Sequence, residues 1–348
     1  MQPVVAPEAD LEAIDRPSTR ARMISTAQRE VSTILLVLLV IVCGTLSPNF
    51  FSPDNLLNLA DQMPVFAILA AGQMLVILTG GIDLSVGSVL ALGAFFAAAM
   101  SHYGLAPAIV VPLIVTTAIG AINGCGAAFT RVPPFIITLA MLSIARGAAL
   151  EAAALYHGAA GGTGGASPVS ADRTGGFPLL AEGRVLGFPS AFVVAVVVLG
   201  ALAYVLRSTR FGRHVYAVGG NATAALLLGV RVPIVKLGVY AASGFLAGLA
   251  GILYASRELS APPTGAQGYE LDAITAVVVG GTLLTGGVGS VRGTVVGLLI
   301  VRILPNIFNL LALDPAWQQV ARGGVLIAVV LVQLAFAPRA NRASRVAA

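Results

Sequence analysis

The chain has 348 residues, of which 57% are hydrophobic and only 10% are charged, and its mean hydropathy is +0.92. A soluble domain carries about 25% charged residues, so this composition excludes an ordinary soluble protein. Apolar runs of about 20 residues recur along the chain, and that length crosses a bilayer as a helix. The sequence therefore predicts an all-α polytopic membrane protein. Its net charge of +5 belongs to the loops and does not indicate nucleic-acid binding.

Ten apolar runs are predicted to cross the membrane within a transmembrane domain over 31–336, flanked by polar tails at 1–30 and 337–348. A short surface helix is expected at 55–61, and the segment 157–188, rich in Gly, Ser and Pro, is expected to be an irregular extracytoplasmic loop. The eighth run is short, so eight or twelve spans remain alternatives. The ten runs are 31–46, 64–79, 89–102, 106–129, 135–156, 190–206, 234–256, 271–284, 294–311 and 317–336.

Arginine placement predicts the orientation, because inner loops of membrane proteins carry an excess of Lys and Arg. With the N-terminus inside, fourteen of the twenty basic residues fall on inner segments and three on outer segments. The remaining three, Arg146, Arg302 and Arg322, lie within spans. Both termini are therefore predicted to be cytoplasmic. The first 30 residues mix acids with arginines, unlike a cleaved signal peptide.

The inner loop 207–233 contains a short predicted helix over 222–228. Asn221 is a suitable N-cap, Gly229 can adopt the left-handed closing conformation, and Pro233 prevents continuation. Two helical turns are too few to be stable alone, so this apolar helix needs a surface to lie against. It either docks on a soluble partner or packs its leucines beneath its own bundle. The expected contact residues are Arg213, Asn221, Ala222, Leu226, Leu227, Leu228 and Gly229.

Two glycine-rich breaks, 80–88 and 286–293, interrupt the apolar runs. Non-helical backbone at membrane depth is tolerated only where it is buried in protein or lines a wet cavity, so these breaks are candidates for the translocation path. Tight helix packing through small residues is the alternative. The motif Val-Gly-Ser-Val occurs in both, starting at Val86 and at Val288, which is compatible with an internal duplication. The candidate path residues are Gly80, Gly81, Asp83, Ser85, Gly87, Ser88, Gly286, Gly287 and Gly289.

Three acids stand at helix starts. Asp83 lies beside a span, where an acid is costly and usually functional or paired. It either contacts solute or caps the next helix by accepting a hydrogen bond from the Val86 N–H. Glu270 and Asp272 open the eighth run, where acids suit the helix dipole. They either cap that helix or form an outer gate that meets an extracytoplasmic partner or a hydroxylated solute.

No catalytic or cofactor-binding motif is present. The histidines are isolated, and Cys43 and Cys125 both lie in apolar runs. Lys236 is the only lysine, so no phosphate-binding Gly-x-x-x-x-Gly-Lys motif exists, and any ATPase must be a separate chain. A stand-alone, ion-coupled secondary transporter remains an alternative. Its coupling acids would be Asp83 and Glu151.

Several segments resemble the ribose-type sugar permeases of bacterial ABC importers. The most specific is Gly81-Ile-Asp-Leu-Ser-Val-Gly87, and the matches keep their order and spacing over roughly 31–335. The other matching segments are 46–51, 75–80, 212–221, 268–274 and 280–282.

This resemblance implies a permease in the bacterial inner membrane that pairs with a second permease, often a copy of itself. It also implies a cytoplasmic ABC ATPase, which uses the ATP and Mg²⁺, and an extracytoplasmic sugar-binding protein. The short helix after Asn221 would then be the cytoplasmic coupling helix. Relatives usually carry Glu, Arg and Ser at three positions of this helix that are here Ala222, Leu226 and Leu228. The glycine-rich loop 157–176 also differs from typical relatives, which puts the fit of the binding protein in doubt.

Overall fold

A computed structural model describes residues 19–159, 165–170 and 176–314, with a few separate residues between 316 and 327. It describes side chains in these ranges except at 19–31 and 157–159. Most of the predicted tenth span and of both tails lies outside the described residues.

The described residues are almost entirely α-helical. Among the described residues, seven helices are long and apolar enough to cross a membrane: Pro53–Leu78, Val86–Tyr103, Leu105–Phe129, Pro134–Tyr156, Ser190–Ser208, Val232–Glu258 and Val291–Leu310. The apolar part of α1, Ser32–Leu46, is shorter. The protein is therefore polytopic, as predicted. The helices are α1 (Thr19–Leu46), α2 (Pro53–Leu78), α3 (Val86–Met100, extended by the 3-10 turn Ser101–Tyr103), α4 (Leu105–Phe129), α5 (Pro134–Ala159), α6 (Leu179–Glu182), α7 (Ser190–Ser208), α8 (Arg210–Gly220), α9 (Ala222–Leu227), α10 (Val232–Glu258), α11 (Tyr269–Val279) and α12 (Val291–Leu310).

The separate surface helix predicted at 55–61 is wrong, because these residues form the first turns of the continuous helix α2. Ser52 caps this helix by accepting from the Asn55 N–H, and Pro53 occupies its first turn. Pro64 does not end the helix although it removes one backbone hydrogen bond. Every residue from Pro64 to Leu78 is buried, so packing outweighs the local cost of the proline.

The prediction of a membrane-spanning helix over 271–284 is also wrong. The helix formed here, α11, has 11 residues and ends at Val279. At about 1.5 Å per residue it covers only about half of the roughly 30 Å of hydrocarbon. Gly281, at φ +87°, ends it: its N–H donates to Val278 O, and the Thr282 N–H donates to Val277 O. This paired closing motif satisfies the last carbonyls and stops the helix.

A helix that the sequence analysis did not predict precedes the coupling helix. Residues 210–220, expected to be part of a loop, form α8. The Thr209 side chain accepts from the Gly212 N–H and so caps its first turn. Gly212, Val215 and Val218, spaced three apart, form its buried face. In the sequence, the three-residue spacing of these residues and the capping threonine before them indicated a helix.

Part of the predicted irregular loop 157–188 is packed. Strand β1 (Ser167–Pro168) pairs antiparallel with β4 (Ser260–Ala261), and β2 (Arg184–Val185) forms a hairpin with β3 (Phe188–Pro189). Phe177 is fully buried, and Ser256 Oγ donates to its carbonyl at 2.7 Å. Contact with the end of α10 therefore orders this segment.

The core lies where α10 packs against α2, α3 and α4. Small residues bring these helices into backbone contact, as expected at membrane helix interfaces. An added Cβ on Gly244 of α10 would lie 2.9 Å from the Cα of Gly120 on α4. This close packing encloses the break between α2 and α3.

Candidate translocation site

The break between α2 and α3 is irregular backbone buried in the bundle. Gly80 has a φ of +77°, a conformation that favours glycine. Thr138 of α5 satisfies the backbone beyond it, since its hydroxyl accepts from the Leu84 N–H at 3.2 Å and donates to Ile82 O at 3.1 Å. A side chain thus replaces the missing helical hydrogen bonds, as buried non-helical backbone requires.

Asp83 is the buried acid of this break, with 2% of its surface exposed. Its Oδ1 accepts from the Ser85 N–H at 3.0 Å and from Ser85 Oγ at 2.6 Å, and Ser243 Oγ of α10 donates to Oδ2 at 3.3 Å. The predicted cap on the Val86 N–H is wrong, because α3 begins at Val86 and its N-cap position is Ser85. Asp83 instead closes a turn within the break, because its side chain accepts from the backbone N–H of Ser85, two residues later in the chain.

Three further polar residues surround this segment. Asn123 of α4 donates through Nδ2 to Ser85 Oγ at 2.9 Å, Ser88 lies in the first turn of α3, and the Tyr240 hydroxyl of α10 lies against Gly81. All three side chains are at least 99% buried. Asn123 Oδ1, Ser88 Oγ and Tyr240 Oη have no hydrogen-bond partner within the described residues.

The sequence analysis missed Asn123, Tyr240 and Ser243. The signal for Asn123 was an amide inside an apolar span, since polar residues within spans are costly and usually face the bundle interior. Tyr240 and Ser243 carried a weaker signal, because tyrosine and serine are common in membrane helices. Their proximity to Asp83 is a property of the fold.

Of these polar residues, Asp83, Ser85 and Asn123 line a narrow gap between α3, α4 and α10. In this structure the gap is too small to hold a water molecule. It contains the carboxylate of Asp83, the amide of Asn123 and the hydroxyl of Ser85, groups that can form hydrogen bonds with a neutral polar solute. Its lining residues are Asp83, Ser85, Val86, Val89, Gly120, Asn123, Gly244 and Ala247.

Glu270 and Asp272 both lie in the first turn of α11, as predicted, but neither side chain caps it. The N-cap is Gly268. Glu270 Oε2 is buried against Gly87 and has no hydrogen-bond partner within the described residues, and Asp272 is only 2% exposed. Both acids therefore face the interior of this conformation. Their predicted role as an outer gate stays a prediction.

Arg146 of α5 fixes the loop before these acids. Its Nη1 donates to Pro263 O at 3.0 Å and to Gly265 O at 2.8 Å. The guanidinium also interacts electrostatically with Glu270. This arrangement holds Glu270 beside the first turn of α3.

The glycines of the second break pack against the first break rather than line the gap. The Gly287 N–H donates to Leu78 O at 2.9 Å. An added Cβ on Gly286 would lie 2.8 Å from Gly80 N and 3.0 Å from Gly219 O, and one on Gly287 would lie 2.8 Å from Gly220 Cα. Backbones of three segments meet here, which matches the tight-packing alternative. We call Gly80, Gly219, Gly220, Gly286 and Gly287 the glycine junction.

The two Val-Gly-Ser-Val motifs sit differently at their helices. Ser88 is the third residue of α3, whereas Ser290 is the N-cap of α12 and accepts from the Gly293 N–H at 3.1 Å. Gly289 lies just before this cap, and its carbonyl accepts from the Tyr216 hydroxyl at 3.0 Å. The motifs therefore do not occupy equivalent positions.

The short helix predicted after Asn221 is confirmed as α9, and its coupling role stays a prediction. Asn221 Oδ1 accepts from the Ala224 N–H at 3.0 Å, and Gly229, at φ +83°, closes α9. Leu226, Leu227 and Leu228 are 59%, 83% and 85% exposed, so the alternative that they pack beneath the bundle is wrong. The remaining predicted contact residues, Arg213, Asn221, Ala222 and Gly229, are exposed as well.

Comparison with known proteins agrees with these features. Residues 55–330 match the family described as branched-chain amino acid transport system / permease component. The chain is 42% identical over 302 residues to ribose import permease protein RbsC of Haemophilus influenzae, covering 86% of this chain and 91% of that protein. It is 43% identical over 303 residues to RbsC of Escherichia coli strain K12, covering 86% and 92%.

A third relative carries a different sugar in its name. The D-allose transport system permease protein AlsC of Escherichia coli strain K12 is 34% identical over 303 residues, covering 85% of this chain and 88% of that protein. No solved structure matches the chain significantly. From the family match and these identities, the chain belongs to the branched-chain amino acid transport system / permease component family of ABC importers, as a multi-pass protein of the bacterial inner membrane and not an enzyme.

Proposed function

We propose that this chain is the permease subunit of an ABC importer that carries a neutral monosaccharide or a similar small hydroxylated solute. The observation that carries the proposal is the buried break at Asp83, whose partners are hydroxyls and one backbone N–H. Relatives named for ribose and D-allose support a sugar as the solute.

The proposed topology has ten crossings with both termini inside. Helices α10 and α12 both begin beside α8: Phe211 of α8 reaches Gly238 near the start of α10, and Tyr216 bonds Gly289 just before α12. The chain must therefore return across the bundle between them. We assign this eighth crossing to the segment 259–290, with α11 as its helical half.

Permeases of ABC importers work in general with an ATPase subunit and a substrate-binding protein. In our proposal the ATPase binds α9 on the cytoplasmic side, a second copy of this chain completes the pore, and ATP with Mg²⁺ is used in the ATPase alone. The exposed leucines of α9 indicate an apolar contact on the ATPase, because about 25 cal/mol is gained per Å² of apolar surface removed from water.

The proposed mechanism is alternating access. Closure of the ATPase pair pushes α9, and α8 transmits the displacement because its C-terminal glycines lie against both breaks. The bundle then opens the Asp83 gap to one side at a time. A path of low affinity suits this task, since tight binding of solute would slow its release.

The test is uptake into proteoliposomes that contain this chain, its ATPase and its binding protein. We expect uptake that requires ATP and all three components. Uptake by this chain alone, driven by an ion gradient, would support the secondary transporter instead. Of the two coupling acids expected for that transporter, Asp83 is buried and Glu151 is exposed.

A further inference from the structure

A short β-hairpin directly before the spanning helix α7 exposes apolar side chains. Strands β2 and β3 pair Val185 with Phe188, so Leu186 and Gly187 form a two-residue turn. Val185, Leu186 and Phe188 are exposed, and Leu186 most of all, at 96%. We call residues 185–188 the hairpin tip. We propose that the hairpin tip inserts its apolar side chains between the lipid headgroups of the leaflet opposite α9. This lipid contact goes beyond the proposed function, because it does not involve the solute.

The backbone of the turn does not favour the leucine at its first position. Leu186 has a φ of +53° and Gly187 a φ of +86°. Two-residue hairpin turns with positive φ at both residues prefer Asn-Gly or Asp-Gly, because the Cβ of most residues crowds the backbone in the left-handed conformation. Leu186 also buries almost no surface within the described chain. Contact with an apolar environment outside the chain offsets this cost.

Two helices place the hairpin at the edge of the hydrocarbon layer. Helix α7 begins at Ser190, directly after β3, and its 19 residues cover about 28 Å before α8 begins. Arg184 of β2 lies beside Asp61 of α2, with 4.0 Å between Nη2 and Oδ2. From Asp61 to Leu78, whose carbonyl lies against Gly219 of α8, helix α2 covers about 26 Å. Both lengths are close to the roughly 30 Å of hydrocarbon, so the hairpin and α8 lie at opposite interfaces.

Hydrogen bonds and a ring contact fix the hairpin to the first turn of α7. The Ser190 N–H donates to Gly183 O at 2.7 Å, and Ser190 Oγ donates to Leu179 O at 2.6 Å. The ring of Phe188 stacks on that of Phe192 in α7, with 5.7 Å between their centroids. The hairpin tip therefore stays at the depth at which α7 begins.

The hairpin tip continues the exposed apolar surface of α7. Phe192 and Val196 lie one turn apart on this helix, Val196 is exposed, and Phe188 adjoins Phe192. The charged pair Arg184–Asp61 lies at the base of the hairpin, where both side chains are partly exposed. An apolar tip beside a charged base suits the boundary between acyl chains and headgroups. Only side chains are expected to enter the acyl region, since the unpaired backbone groups of a two-stranded hairpin need water or headgroups as partners.

Spin-label depth measurements test the inference on the full-length chain in vesicles of phosphatidylethanolamine and phosphatidylglycerol. Leu186→Cys carries the nitroxide in a chain that also has Cys125→Ala, while Cys43 stays because it is buried. Oxygen concentrates among acyl chains and a polar nickel chelate stays in water, so the ratio of their collision rates with the label reports its depth. Glu182→Cys is the matched control, since Glu182 is exposed on the same side of the membrane but lies outside the hairpin tip. We expect the oxygen-to-nickel ratio at position 186 to exceed that at position 182 about threefold or more.

A second variant, Leu186→Asn, separates the lipid contact from the turn. Asparagine tolerates the left-handed conformation, so the hairpin should form and the melting temperature of the chain should stay the same or rise. The apolar contact at the tip is lost. A label at Val185→Cys should therefore shift towards the nickel reagent about twofold when Leu186→Asn is added.

An equal ratio at positions 186 and 182 would place the tip in water and overturn the inference. Low collision rates with both reagents at position 186 would mean that a protein surface, such as a second copy of the chain, covers the tip, and would overturn it as well. Protection that appears only when the binding protein is added would make the hairpin a docking surface instead of a lipid contact. A Val185 label that does not respond to Leu186→Asn would show that the leucine does not hold the tip in the membrane. None of these measurements requires transport, so their outcome is independent of the proposed function.

Discussion

At the residue scale, Asp83 shows how this bundle holds an acid in an apolar interior. Its carboxylate receives hydrogen bonds from Ser85 and Ser243 and has no basic residue among its bonded partners. A purely structural acid would be expected to pair with a cation or to cap a helix. Asp83 instead closes the turn before α3 through Ser85, so only a variant can separate this structural role from the predicted solute contact.

We predict that Asp83→Asn lowers uptake about tenfold while the complex stays intact. The amide keeps one acceptor oxygen for Ser85 but loses the charged oxygen that Ser243 contacts, and a hydrogen bond to a charged group contributes about 1.5–3 kcal/mol. Uptake and co-purification with the ATPase measure the two effects. Asp54→Asn, at an exposed acid in α2, serves as the control and should leave both unchanged. Loss of the folded complex in Asp83→Asn would mean that the acid is structural.

At the element scale, the glycine junction lies between helix α9 and the two breaks. Helix α8 ends at Gly220, next to the Asn221 cap of α9, and its last residues touch the backbone of both breaks. Backbone contacts of this kind cannot be relieved by side-chain rotation. We therefore expect a displacement of α9 to move the end of α2 and the second break with it.

We predict that Gly219→Ala destabilises the protein and that Gly220→Ala does not. A Cβ on Gly219 would overlap Leu78 O, and overpacking against backbone costs about 1–3 kcal/mol. A Cβ on Gly220 meets nothing within 4 Å, and alanine favours the helix. Melting temperatures of the two purified variants make the comparison. Equal stability would show that the junction is looser than the structure describes.

Helix α9 gives the second prediction at this scale. Leu227→Glu should abolish ATP-dependent uptake without changing membrane insertion or melting temperature, because Leu227 is 83% exposed in the isolated chain and its burial on the ATPase would be lost. Leu227→Met conserves volume and polarity and should transport normally. Binding of the ATPase to each variant, measured by co-purification, locates the defect. Normal uptake by Leu227→Glu would place the ATPase elsewhere.

At the scale of the whole molecule, the permease has one central helix, α10, surrounded by α2, α3 and α4, and its breaks meet on the side that carries α8 and α9. Much of the remaining helical surface is apolar and exposed, as expected for contact with lipid or with a second subunit. The packing of the described helices encloses the gap at Asp83 within a single chain. A second copy would supply another equivalent gap.

We predict two copies of this chain in the purified importer. Each copy contributes 35.2 kDa, so native mass spectrometry of the complex resolves one copy from two. The pair should stay together when the ATPase is removed, because we expect the contact between the two permease copies to lie in the membrane. A complex with one copy and a different permease chain would indicate a heterodimer.

The sequence by itself determined the membrane class, the position of most spanning helices and the local structure of α9. Hydrophobic length and capping residues are local properties, so α4, α5, α7, α10 and α12 lie within a few residues of their predicted bounds. Asn221 and Gly229 act on their own helix and needed no further context.

Only the tertiary structure decided where the helices end at the two breaks and which residues meet there. Continuous burial carries α2 through Pro64, and Gly281 ends α11 at half a span. Asn123, Tyr240 and Asp83 are separated by tens of residues and meet because glycine contacts bring α4 and α10 together. Such long-range contacts depend on which helices pack, and that information is not contained in any local pattern of residues.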